Sequence, residues 1–154
     1  QTKDLIVSPQ HRVLVTSDIV SRMFDRREVL VSAKQLLGIE GVEVASNIQE
    51  LTYYHILFDH HEIVFANGVP SESLYLGTHA WATLTTDGRR EIMSLFPELK
   101  MPAHCPAPCI PIIDGKPAKT LQLRHSKNQK PLNQFMGRYA VAKISHGDAA
   151  RLSA

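Results

Sequence analysis

The sequence predicts a mainly β domain of short strands and hairpins, followed by a helix-containing, proline-rich C-terminal extension. Three observations carry this. From residue 5 to residue 69, short runs rich in Val, Ile, Tyr and Phe alternate with tight-turn residues. Asn67-Gly68, the strongest two-residue hairpin signal, closes one of those runs. After Pro70 the pattern changes to a capped helical stretch, and then Pro102, Pro106, Pro108 and Pro111 crowd ten residues.

Leu5-Ile6-Val7 is a short β-like run. Ser8-Pro9-Gln10 is a turn, because proline presets φ and serine bonds the local backbone. His11 to Thr16 reads as a strand, with Val13 and Val15 alternating against Arg12 and Leu14. Glu28 to Val31 is the next strand. Ser32 then caps a short helix from Ala33 to Leu37, which Gly38 stops. Gly41 to Val44 reads as one more strand. The clearest expected element is a hairpin of Thr52–Phe58 with His61–Ala66, turning at Asp59-His60. Tyr53, His55 and Leu57 share one of its faces. Residues 5 to 69 thus read as an all-β module.

Beyond Pro70, Ser73 to Leu84 is a loop or an irregular helix. Asp87 caps a helix from Gly88 to Phe96, with Pro97 just beyond. The proline cluster must run extended. Ile110–Ile113 and Thr120–Leu123, joined through Asp114-Gly115, read as a second hairpin with a wide loop. The polar run Ser126–Lys130 reads as a loop. There is no internal repeat.

The chain has 154 residues, close to the usual size of one domain, with 44% hydrophobic and 21% charged residues. That balance can bury a core and excludes disordered and collagen-like classes. No apolar run approaches the roughly 20 residues a membrane helix needs. The net charge of +2, from 17 basic and 15 acidic residues, is too even to suggest nucleic acid. Neither a membrane nor a nucleic-acid partner is expected. Two cysteines, Cys105 and Cys109, cannot make a disulfide framework. Gln1 to Leu5 has no signal-peptide character. A chain that starts at Gln1 reads as a fragment or a processed product.

Eight histidines are many for this length, and histidine is the side chain most easily poised for proton transfer near neutral pH. Ser8-Pro9-Gln10-His11 puts a hydroxyl three residues before an imidazole, across a turn. The hydroxyl can orient a carbonyl, and the imidazole can protonate a leaving nitrogen. Spacing alone leaves the plainer reading open, with Ser8 a turn former and His11 an ordinary strand residue. A metal site is a rival: His55, Asp59, His60 and His61 offer ligands, as do His104, Cys105 and Cys109. Neither group has a recognised zinc spacing, and no metal or cofactor is expected. His55 reads as a packed residue. His79, His104, His125 and His146 read as surface residues.

The run Tyr53 to Gly68 resembles the C-terminal block of Hint domains, the self-processing module shared by hedgehog proteins and inteins. That block carries a Tyr, a His opening its second strand and Ala-Asn-Gly near its end; here these are Tyr54, His61 and Ala66-Asn67-Gly68. Ser8-Pro9-Gln10-His11-Arg12-Val13-Leu14-Val15 is similar to the family's Thr-x-x-His block, with serine for threonine. Glu28 to Leu36 resembles the intervening strand and its Ala-x-x-Leu turn. The tail around Pro108 to Leu121 is similar to the extension of a bacterial subfamily. The resemblance implies that residues 1–75 are the C-terminal part of a Hint-like β domain and that residues 76–154 are an extension packed on it.

The resemblance also implies chemistry. A nucleophile attacks the preceding carbonyl, and a backbone amide becomes a thioester or ester. His11 would protonate the departing amide nitrogen, Ser8 would polarise the scissile peptide, and His61 would assist resolution of the ester. The family's nucleophile stands well before the Thr-x-x-His block; none of the seven residues before Ser8 is Cys or Ser. Cys105 and Cys109 lie on the wrong side of that block. No His-Asn pair follows Gly68, so cleavage without ligation is implied. The implied partners are the chain's own N-terminal Hint segment, an upstream flanking domain, or a second copy of this chain. The 154-residue chain by itself is expected to be inactive, its parent to undergo one self-cleavage as a secreted or cell-surface bacterial protein. The alternatives are a non-catalytic β scaffold or binding module, and a metal-binding protein.

Overall fold

Val13, Leu14 and Val15 suit a pleated, buried surface. They form the centre of strand β1, Arg12–Thr16. The computed structural model describes residues 4–46, 50, 52, 54–97, 107–134 and 150–153. β1 pairs antiparallel with β2, Glu28–Ser32, in a register running from Arg12↔Ser32 to Thr16↔Glu28. What joins them is a helix, α1, Asp18–Phe24. The Ser17 hydroxyl accepts the Val20 N–H at 3.2 Å, Asp18 sits in the positive first turn, and Asp25 ends the helix at φ 52°. The reading of residues 5–69 as all β is corrected here, since this capped helix lies inside them. Leu5–Val7 and Gly41–Val44 form no strand. Ile6 and Val44 are exposed, while Val42 packs against the core from a loop.

Two further strands, which we number β4, Ile63–Ala66, and β5, Val69–Glu72, close a hairpin around Asn67-Gly68; the intervening β3 is Tyr54–Leu57. Both turn residues have positive φ, 50° and 79°, the signs a type I′ turn requires. The expected hairpin of residues 52–58 with residues 61–66 is therefore corrected. β4 takes β5 as its partner, and β3 pairs instead with β6, Ala150–Ser153. The main sheet has the antiparallel order β2-β1-β5-β4. Gly68→Ala should cost about 1–2 kcal/mol, the penalty of placing a Cβ in the left-handed region. Urea unfolding checks this; a midpoint equal to that of the unaltered chain would refute it.

The described residues divide between two compact units, one within 1–49, 63–72 and 110–142, the other within 50–62, 73–109 and 143–154. In the first unit, apolar groups cover both faces of the main sheet. Val15, Val29 and Val31 pack with Val20 of α1, with Leu36 and Ile39, and with Ala118 and Leu121 of a long helix. Leu14 and Leu30 point the other way and pack with Ile110, Ile63 and Ile112. Leu30 also exchanges 2.9 Å backbone bonds with Pro111 and Ile113, so the segment after Cys109 lines the outer edge of β2.

The long helix, Gly115–Asn128, replaces the expected second hairpin and takes in part of the expected polar loop. We number it α4, after α2, Thr78–Thr83, and α3, Thr86–Leu95. Asp114 stands at its N-cap, and Pro117 is tolerated in a first turn, where amides need no helical partner. Gln129 closes it at φ 48°; Lys130 N–H donates to His125 C=O and Gln129 N–H to Ser126 C=O. In the second unit Thr85, one position before α3, accepts the Gly88 N–H at 3.1 Å. Leu57, Leu76 and Ile92 form its core, flanked by Leu74, Trp81, Leu84 and Phe96. Among the described residues no helix is long and apolar enough to cross a membrane.

Candidate functional site

Ser8, Pro9, Gln10 and His11 make one closed turn. Proline in its second position fixes φ, and the His11 N–H donates to the Ser8 carbonyl at 3.0 Å. Ser8 and His11 are both half-buried. The turn rests on a single 3₁₀ turn, Ala33–Gln35, shorter than the expected helix. Ala33 N–H donates to His11 C=O at 2.9 Å, and Lys34 N–H donates to Pro9 C=O at 3.0 Å. Buried Leu36 anchors that 3₁₀ turn in the core, so the support beneath His11 is rigid.

Two contacts bring in the β4–β5 hairpin. Asn67 Nδ2 donates to Asp4 C=O at 2.7 Å, tying the hairpin turn to the segment that leads into Ser8. Glu72, at the end of β5, takes both the Arg12 N–H and Arg12 Nη1, each at 2.8 Å. Glu72 is 7% exposed. No role for Glu72 is expected from the sequence. A carboxylate ending the strand after an Asn-Gly turn, opposite the one basic residue of β1, was the available signal.

His61 belongs to the second unit and precedes β4 by two residues, rather than opening that strand. It is 5% exposed, and its Nδ1 accepts the Cys109 N–H at 3.2 Å. An Nδ1 that accepts an amide proton leaves the ring proton on Nε2. The ring tilts against Tyr75, with centroids 4.9 Å apart at 45°. Reciprocal bonds between Glu62 and Ser73, 2.8 and 2.9 Å, hold the loop. His61 and Tyr75 line a shallow depression with Leu57, Phe58, Leu74 and Leu76. The Ser8–His11 turn and His61 are thus two separately built elements.

His125, expected at the surface, is fully buried in the first unit. Its Nδ1 lies 3.0 Å from Lys130 C=O, and a carbonyl can only accept, so Nδ1 carries the proton. Nε2, 3.0 Å from Ser17 Oγ, then accepts the serine hydroxyl proton. Ser17 in turn accepts the Val20 N–H. This Ser-His pair is enclosed and joins the start of α1 to the end of α4; its work is structural. His60 is exposed and pairs with Asp59 at 3.1 Å. Cys109 is exposed. Tyr53, His104, Cys105 and His146 lie outside the described residues, as do the side chains of His55 and His79. Among the described residues, no three His, Cys, Asp or Glu side chains are grouped to hold a metal ion.

A family model described as the Hint domain matches residues 1–78, the span that holds the Ser8–His11 turn, the Ala33 turn, His61 and the Asn67-Gly68 hairpin. No curated protein and no solved structure matches the chain. The match extends over half of the sequence and takes in four strands that make one antiparallel sheet, so the chain belongs to the Hint domain family.

Proposed function

We propose that the chain is the C-terminal portion of a bacterial Hint-type self-processing domain, with residues 76–154 as its extension. The parent domain cleaves the peptide bond at its own N-terminal junction without ligation. A thiol or hydroxyl from a segment preceding Ser8 gives its proton to water as it attacks the junction carbonyl. The tetrahedral oxyanion collapses, the C–N bond breaks, and the amide nitrogen leaves with a proton from His11. Ser8 donates a hydrogen bond to the carbonyl oxygen as charge builds there. Water then hydrolyses the thioester or ester, returning a proton to the nucleophile, and His61 carries the proton transfer of that step. The partners are the N-terminal Hint segment and the upstream domain.

One observation carries the reading. The Ser8–His11 turn, the Ala33 turn and the Asn67-Gly68 hairpin, the blocks that resemble the family, are hydrogen-bonded together through Ala33, Lys34, Asn67 and Glu72. Such convergence of half-buried Ser8 and His11 on a fixed backbone is what positioned acid catalysis needs.

The test is thiol-induced cleavage of the parent protein. Added thiol should accelerate junction cleavage by capturing the acyl group. His61→Ala should spare ester formation and slow its hydrolysis about 10²-fold, so that hydroxylamine traps an N-terminal fragment as its hydroxamate. A parent protein that stays whole under thiol and hydroxylamine alike would leave a non-catalytic β scaffold as the better reading.

A further inference from the structure

The peptide that joins His11 to Arg12 is held on both sides. Its C=O accepts from Ala33 N–H at 2.9 Å, and its N–H donates to Glu72 Oε1 at 2.8 Å. The His11 N–H is bound as well, to Ser8 C=O at 3.0 Å. Together these bonds fix φ and ψ of His11, and with them the direction in which its Cα–Cβ bond points. Only side-chain torsions then remain to aim the imidazole. Two of the three anchors are backbone groups; the third is a carboxylate from a residue 60 positions away.

Glu72 meets that amide where the ladder runs out. β1 and β5 pair at Val13↔Ser71, one residue further into each strand. At the fraying end the Glu72 side chain supplies the acceptor that a strand backbone would otherwise supply. Its second oxygen takes the Arg12 guanidinium at 2.8 Å, which sets the carboxylate's rotamer. At 7% exposure, Glu72 has little freedom to leave.

We infer that Glu72 is a positioning residue for the acyl shift: by clamping the His11–Arg12 peptide it aims the His11 imidazole at the departing nitrogen. The inference rests on the reading of His11 as the general acid. It requires no contact between Glu72 and the substrate. Misplacing a catalytic group by about 1 Å costs about 10²-fold in rate, so loss of this one anchor is felt in catalysis.

The experiment compares thiol-induced junction cleavage in Glu72→Ala, Glu72→Gln, Arg12→Ala and His11→Ala, each in the parent protein and each well below its unfolding midpoint. Glu72→Ala should cleave about 10²-fold more slowly. Glu72→Gln retains an oxygen that can accept the Arg12 N–H and should recover to within about 10-fold of the parent, while Arg12→Ala, whose amide is still held, should lose less than Glu72→Ala. A merely structural ion pair predicts no such ranking, with Glu72→Gln and Arg12→Ala both as slow as Glu72→Ala. If Glu72→Ala does not fold, the Glu72→Gln and Arg12→Ala rates decide between these rankings. Cleavage by Glu72→Ala at the parent's rate, with His11→Ala inactive, overturns the clamp and leaves the acid reading standing. Full activity in His11→Ala overturns both.

Discussion

Replacing His11 by alanine is expected to abolish cleavage at the N-terminal junction of the parent protein, a loss of about 10²–10⁴-fold. The amide nitrogen is a poor leaving group, and without the imidazole it must depart unprotonated. The bonds that secure this turn through the His11 N–H and C=O survive the substitution. Ser8→Ala should slow the reaction by about 10²-fold at most, the lower end of what loss of one oxyanion donor costs. The turn's own hydrogen bond uses the Ser8 carbonyl and survives that change too. Gels of parent and variants with and without thiol check both. Cleavage of His11→Ala at the parent's rate would falsify the assignment of the Ser8–His11 block.

A larger effect on stability is expected from the enclosed Ser17-His125 pair. His125→Ala should destabilise the chain by about 3–5 kcal/mol. The cavity left by a buried side chain accounts for about 2–5 kcal/mol in comparable cores, and a buried hydroxyl left without its acceptor costs about 1–3 kcal/mol. Ser17→Ala should cost about 2–3 kcal/mol, combining a lost helix cap with an imidazole nitrogen deprived of its donor. The double variant should be less destabilised than the sum, since each single change already breaks the shared bond. Urea unfolding is best followed by circular dichroism, because the single tryptophan, Trp81, belongs to the other unit. Strict additivity would mean that the 3.0 Å contact contributes nothing.

The strands β1 and β2 were legible because continuous apolar runs sit between strong turn signals, and the Ser8–His11 turn because proline dictates it. The helix α1 was hidden by its composition. Ile19 and Val20 are strand formers, and its cap at Ser17 and acid at Asp18 outweigh them only because Val20 is buried against the sheet. Strand β5 was hidden by Pro70, which usually argues against a strand inside a sheet. It is accommodated because β5 meets β1 only around Val13↔Ser71 and needs no long ladder on that side. Once β5 exists, Asn67-Gly68 outcompetes Asp59-His60 as the turn, and β3 is left to find another partner. At the candidate site the local turn could be read in the sequence, whereas Glu72 and His125 could not. Their roles depend on partners 60 and 108 residues away.

The cross-strand pairs Val13↔Val31, Leu14↔Leu30 and Val15↔Val29 are apolar on both faces of the sheet. Such a pair of strands has no polar side to keep out of the core. Sliding β2 by one residue would exchange valines for leucines and still bury hydrocarbon on both faces, so burial alone discriminates poorly between the two alignments. What tells them apart is the lock at the strand end, where Ala33 and Lys34 meet the carbonyls of His11 and Pro9. The few backbone atoms that would aim a proton at a leaving nitrogen are therefore also the atoms that tell the chain which of two near-equivalent zippings is the native one. A one-residue insertion anywhere between Pro9 and Val13 would set these demands against each other: the core could still close, but with the acid facing the wrong way.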